Sequence, residues 1–146
     1  MTPERTLNGK AVLIGALVSF VGFLLTSIVF VFLAAWVLTL GGVARDDIQA
    51  RVGHDPAFLF AYLLLGSGFT ALGGLIAARI AGTRELLHAA ATAVPPFLFG
   101  ALYYTMGGTR HFSLGYTILM WGLTPVSAVL GGYLARRTAL GVPRSN

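Results

Sequence analysis

The sequence predicts an all-α integral membrane protein, a four-helix bundle made of two parallel-related helical hairpins with both termini cytoplasmic. Three observations carry that prediction. Four apolar stretches, near 11–40, 57–78, 86–106 and 112–135, contain no Asp, Glu, Lys or Arg. Each is long enough to cross a hydrocarbon core of roughly 30 Å at about 1.5 Å per helical residue. Only 10% of residues are charged and 56% are hydrophobic, with a mean hydropathy of +0.81, a surface no water-soluble globule could present. Finally, Leu72-Gly73-Gly74-Leu75-Ile76-Ala77-Ala78-Arg79 recurs 58 residues later as Leu130-Gly131-Gly132-Tyr133-Leu134-Ala135-Arg136-Arg137, each copy closing an apolar run. At 146 residues the chain has room for one domain, 1–146.

The first span, 11–40, is longer than a bilayer core requires and must tilt or project beyond it. Its length also argues against a cleavable signal peptide, whose apolar region is about 7–15 residues. A hydrophilic loop follows, with Asp46, Asp47 and Asp55 balancing Arg45 and Arg51, and Ala44 to Val52 reads as a short surface helix. The second span, 57–78, turns through Ala81-Gly82-Thr83-Arg84 into the third, 86–106. The turn Gly107-Gly108-Thr109-Arg110-His111 leads to the fourth, 112–135. Such short turns place spans two to four side by side in antiparallel order.

Orientation follows from charge. Seven of the ten Lys and Arg residues fall on one side, in the N-terminal tail (Arg5, Lys10), the second turn (Arg79, Arg84) and the C-terminal end (Arg136, Arg137, Arg144). The positive-inside rule makes that side cytoplasmic. Trp36, Tyr103, Tyr104 and Tyr116 fall toward the opposite interface, as aromatic belts do. Arg79, Arg84, Arg136 and Arg137 are cytoplasmic anchors that complement helix C-terminal dipoles or meet anionic headgroups, a contact worth about 1 kcal/mol per residue. The pI near 10.3 therefore reflects membrane orientation and not nucleic-acid binding, because the basic residues form no stripe.

Lipid gives helices little hydrophobic reason to associate, so small residues must let backbones approach. Gly66, Thr70, Gly74 and Ala78 recur at four-residue intervals on span two, as do Ser127, Gly131 and Ala135 on span four, and Gly15, Ser19 and Gly22 share one face near the start of span one. Gly66, Gly73, Gly74, Gly131 and Gly132 read as packing glycines, within the bundle or between protomers. A second layer lies near mid-span. The 58-residue offset aligns Gly66-Ser67-Gly68 with Thr124-Pro125-Val126, and Pro95-Pro96 sits at similar depth in span three. Prolines free the carbonyls of Ala91, Thr92 and Trp121, and Ser67, Thr70, Thr92, Thr124 and Ser127 supply hydroxyls. Interrupted helices at matching depths point to a transport site, whereas hydroxyls that re-pair freed backbone point to packing kinks.

The absences shape the functional expectation. With no charge inside any span, the carboxylate of a proton-coupled carrier has no counterpart. The chain thus departs from the small multidrug transporters and their membrane glutamate. Asparagine occurs only at Asn8 and Asn146, unlike the intramembrane Asn of small fluoride channels. There is no cysteine. His88 reads as a hydrogen-bonded interfacial histidine, with Glu85 the one nearby acid for a proton relay. His54, Asp55 and His111 match no strong metal-ligand spacing. No nucleophile has an evident base, so no enzymatic activity, cofactor or metal is expected.

Gly73-Gly74-Leu75-Ile76-Ala77-Ala78-Arg79-Ile80-Ala81-Gly82, followed by Glu85-Leu86-Leu87-His88-Ala89-Ala90, resembles small bacterial inner-membrane proteins with four helices. In those families helix two ends in Gly-Gly-aromatic-aliphatic-Ala-x-Arg, and helix three opens with Leu-His-Gly/Ala. Leu75 replaces the aromatic in the first copy here, while Tyr133 keeps it in the second. The resemblance implies a multi-pass protein of the bacterial inner membrane and carries no catalytic or binding residues. The leading expectation is a non-enzymatic protein that works by association, with itself as a homo-oligomer or with another membrane protein of an envelope complex. The alternative is a small oligomeric channel or transporter using the mid-span layer.

Overall fold

A computed structural model describes residues 7–107 and 112–140. The turn before the fourth span, from Gly108 to His111, lies outside the described residues, as do Arg5 and Arg144 in the two tails. Within them the chain is all-helical: α1 (Gly9–Leu40), a 3-10 turn (Arg45–Asp47), α2 (Ile48–His54), α3 (Pro56–Ala81), α4 (Glu85–Thr92), α5 (Val94–Thr105) and α6 (Leu114–Leu140). Four stretches are long and apolar enough to cross a membrane, namely α1, α3, α4 with α5, and α6. This is a multi-pass membrane protein.

Local chemistry sets the helix ends. Asn8 Oδ1 accepts from the Ala11 amide at 3.3 Å and starts α1. Asp55 Oδ1 accepts from the amides of Ala57 and Phe58 at 2.9 and 3.4 Å, with Pro56 at the first helical position of α3. Both use a short polar side chain to satisfy amides that lack helical partners. Ser113 Oγ does the same for Tyr116 at 3.2 Å, so α6 begins two residues later than the apolar run suggests. At the end of α3, Gly82 takes the left-handed conformation (φ 63°) and returns its amide to the Ala78 carbonyl.

The third span differs most from expectation. The sequence predicts a kink at Pro95-Pro96; the structure has a break at Ala93 that separates α4 from α5. Both prolines then sit in the first turn of α5, where a missing amide costs no helical bond. The carbonyls of Ala91 and Thr92 receive nothing from them, because proline has no N–H. By contrast α6 runs through Pro125, and Thr124 Oγ1 donates to the Met120 carbonyl at 2.9 Å.

The helices cross in a consistent order. α3 packs against α1, α4 and α6, while α5 makes fewer contacts, with α1 and α6. Pairings run Gly15 to Gly73 at one end of the α1–α3 contact and Phe30 to Phe58 at the other, so these helices are antiparallel. The α3–α6 pair is parallel: Tyr116 Oη donates to the Leu59 carbonyl at 3.2 Å, and an Arg79 guanidinium nitrogen donates to Thr138 Oγ1 at 3.4 Å. These partners are 57 and 59 residues apart, close to the 58-residue spacing of the repeat. The two Gly-Gly copies therefore lie side by side.

Each helix face is graded in size along its length. On α1 the buried small positions Ala11, Gly15, Ser19 and Gly22 give way to the cavity-lining Phe23, Ser27 and Phe30, with Thr26 and Ala34 also buried farther along. On α3 the order runs from Phe58 and Tyr62 through Gly66 and Thr70 to Gly73 and Ala77. α6 goes from Met120 and Trp121 to Ala128, Gly131 and Ala135, and span three from His88, Ala89 and Thr92 to Phe97, Phe99 and Tyr103. All four gradients point the same way. Small residues close one end and aromatic rings hold the other apart, while the largest wholly buried side chains are only His88, Thr92 and Ser19. Large apolar side chains such as Leu13, Phe32, Leu64, Leu98 and Leu130 face outward, as lipid permits and water does not.

Candidate functional site

The closed end holds the start of α1, the end of α3, α4 and the end of α6. A Cβ placed on Gly15 would lie 2.6 Å from the Gly73 carbonyl oxygen and 2.7 Å from both Ala77 Cβ and Thr92 Cγ2. One on Gly74 would strike the Ala128 carbonyl, and one on Gly131 the Ala71 carbonyl. Each Gly-Gly doublet serves two neighbours, but with reversed roles. Gly73 faces α1 and Gly74 faces α6, whereas Gly131 faces α3 and Gly132 meets Ala89 on α4. The first glycine of one copy and the second of the other thus form equivalent contacts, so the repeated residues are not used symmetrically.

His88 joins this end together. Its Nε2 accepts from the Asn8 amide at 2.9 Å, and its Nδ1 lies 3.0 Å from the Arg84 carbonyl oxygen. An amide can only donate and a carbonyl only accept, so the ring is neutral with its proton on Nδ1. The histidine ties the start of α1 to α4 and has no nitrogen left over for Glu85. Lys10, Arg79, Arg84, Arg136 and Arg137 lie on helix ends at this same end of the molecule.

The graded faces leave a cavity of about 390 Å³ at the opposite end, between α1, α3, α5 and α6. Its size is within the range of small-molecule sites. Rings from Phe20, Phe23, Phe30, Phe58, Phe97 and Trp121 build much of the wall, and Val52 of α2 and Phe112 border it. Phe20 meets Phe99 edge-on at 5.2 Å between centroids, and Trp121 packs between Phe97 and Tyr104, each at 5.6 Å. These contacts hold α5 against α1 and α6 while leaving space beside α3. Among the described residues no charged side chain lines the cavity. The Trp121 indole N–H is buried and makes no hydrogen bond among the described residues, and the nitrogen lies against Gly100.

The residues of the mid-span layer separate into two groups. Gly66, Ser67, Thr70, Pro96 and Thr124 line the cavity. Thr92 is wholly buried against Gly15 and bonds the Ala89 carbonyl at 2.7 Å; Ser127 is buried, and Pro95 and Pro125 are exposed. The cavity also takes side chains that glycine and proline spacing does not reveal, above all Ser27 and Tyr62, whose oxygens are 2.7 Å apart. Their signal was the aromatic stripe Phe20, Phe23, Ser27, Phe30 at alternating three- and four-residue steps, one face of a helix. Tyr116, expected among the interfacial rings, is buried and ties α6 to α3.

The loop between α1 and α3 carries a more open hollow lined by Val43, Asp47, Ala50, Arg51 and His54. His54 Nδ1 lies 2.8 Å from the Ala50 carbonyl oxygen and Asp55 caps α3, while His111 lies outside the described residues. Among the described residues no three His, Cys, Asp or Glu side chains group as metal ligands do. Comparison with known proteins finds no matching family model, no matching curated protein and no matching solved structure.

Proposed function

We propose that this chain is a non-enzymatic membrane protein that binds a small, uncharged, largely apolar molecule taken from the bilayer. The observation that carries this reading is the cavity: about 390 Å³, walled by aromatic rings and, among the described residues, free of charged side chains. Its four spans act as one bundle of two hairpins, with the closed, arginine-bearing end in the cytoplasm. The resemblance to small four-helix proteins supports the bacterial inner membrane as its location.

Two experiments test this. The chain has no cysteine, so a single Thr83→Cys in the turn before α4 gives one site for an impermeant maleimide. Labelling is expected in inverted vesicles and not in intact cells; the reverse result would invert the topology. For binding, native mass spectrometry from mild detergent should show a retained apolar molecule at one per chain. A protein that stays empty when offered lipid extract would overturn the ligand-binding reading. Association is a second reading, favoured by the outer turns of α1, where Phe32, Trp36, Val37 and Leu40 are all exposed. The same spectra report it as an oligomer or a retained protein subunit.

A further inference from the structure

Four of the cavity's six side-chain hydroxyls have one property in common: their protons are already committed. Ser27 Oγ donates to the Phe23 carbonyl at 2.8 Å. The Tyr62 hydroxyl, 2.7 Å from Ser27 Oγ, must therefore be the donor in that pair, leaving its own oxygen with free lone pairs. Thr70 Oγ1 donates to the Gly66 carbonyl at 3.0 Å and Thr124 Oγ1 to the Met120 carbonyl at 2.9 Å. All four residues line the cavity. Ser67 and Tyr103 also line it and make no side-chain hydrogen bond among the described residues, and a hydroxyl accepts as readily as it donates. The Trp121 N–H, the one indole donor in the wall, is shut away from the space.

What the cavity offers a guest is thus mainly lone pairs. Tyr62, Gly66 and Thr70 follow one another at four-residue steps on α3, and the 57- and 59-residue pairings of α3 with α6 put Thr124 level with Gly66. The acceptors therefore form one polar strip in an otherwise apolar chamber. Resting on the ligand-binding reading above, we infer that the cavity selects an uncharged hydrogen-bond donor: an apolar alcohol or phenol whose O–H is received by the oxygens of Tyr62, Thr70 or Thr124. A ketone, ester or ether of the same shape brings only further lone pairs and leaves that strip unpaired. The lipid ester chains of the surrounding bilayer are rejected for the same reason. Recognition by a hydrogen bond discriminates more sharply than apolar contact, because a mismatched guest strands buried polar atoms.

The two tryptophans make the test direct. Trp121 lies in the cavity wall, and Trp36 is exposed on α1. Full-length Trp36→Phe protein in lipid nanodiscs is titrated with bromododecanol, its methyl ether and methyl bromododecanoate, bromine quenching the indole on contact. Trp121→Phe protein, reporting through Trp36, measures quenching by probe dissolved in the lipid. The alcohol is expected to quench Trp121 saturably, with a midpoint at least roughly tenfold below those of ether and ester at equal membrane mole fraction. Adding Tyr62→Phe and Thr124→Val should reduce that ratio to about twofold or less while the ether midpoint stays put. Equal, saturable binding of alcohol and ether would overturn the donor inference and leave the ligand-binding reading standing. Quenching of Trp121 that never saturates with any probe, matching that of Trp36, would overturn both.

Discussion

The two ends of this molecule are made by the same four helices and solve opposite packing problems. At the closed end, Gly15, Gly73, Gly74 and Gly131 let one backbone touch another, and His88 spans the remaining gap with two hydrogen bonds. At the aromatic end, ring edges meet at 5.2 to 5.9 Å between Phe20 and Phe99, Phe23 and Tyr62, and Phe30 and Phe58, and a chamber remains between them. Lipid exerts no hydrophobic pressure to collapse such a space, so side-chain size alone decides how near the helices come. A cavity is thus written into a membrane bundle by grading residue size along each helix, with no charge in the wall among the described residues.

Breaking the closed end should have the largest effect. In Gly131→Val the new side chain meets the Ala71 carbonyl and the Leu75 amide, backbone atoms that cannot rotate away. We expect a loss of about 3 kcal/mol or more, read as a collapse of thermal stability in detergent and loss of the monodisperse peak. Gly122→Ala, on the same helix but with nothing within 4 Å, is the counter-test: it should be neutral or stabilise by roughly 0.5–1 kcal/mol. Similar losses for both would mean that the closed end is not the tight one.

An intermediate effect is expected at the break between the ends. Replacing Pro95 and Pro96 together by alanine restores two amides that can reach the Ala91 and Thr92 carbonyls and make α4 and α5 one helix. α5 should then move relative to α3, with thermal stability held or raised and the bromododecanol midpoint at Trp121 weakened by roughly tenfold. An unchanged midpoint would show that the break does not shape the chamber. The smallest effect belongs to single ties at the aromatic end. Tyr116→Phe removes the 3.2 Å bond to the Leu59 carbonyl and should cost about 0.6 kcal/mol, the typical worth of an interhelical hydrogen bond in a membrane. A loss rivalling that of Gly131→Val would contradict the division into a tight end and a loose one.

Much of the closed end was legible from spacing. Glycines at four-residue intervals can do little but pack, and the repeat suggested two similar hairpins without showing that its two copies meet. His88 was legible as a bonded residue, though not its partner, since Asn8 lies 80 residues away. The cavity was legible only in part. Ser67, Thr70, Pro96 and Thr124 stood out because serine, threonine and proline interrupt apolar runs. Phe20, Ser27 and Tyr62 did not, because an aromatic residue in a membrane span is ordinary whichever way it faces. Thr92 and Ser127 looked equivalent to the others in depth, but their angular positions on the helices turn them into packing contacts.

By itself the sequence determined four apolar helices, their antiparallel succession and their charge asymmetry, because each depends on local composition or on neighbours a few residues apart. Tertiary structure decided the rest. It chose which glycine of each doublet meets which helix, it turned a predicted kink into a break at Ala93, and it gathered Ser27, Tyr62, Thr70 and Thr124 around one space. Those outcomes depend on helix rotation and mutual approach. In lipid these follow from the fit of facing side chains, a property that no single stretch of the chain contains.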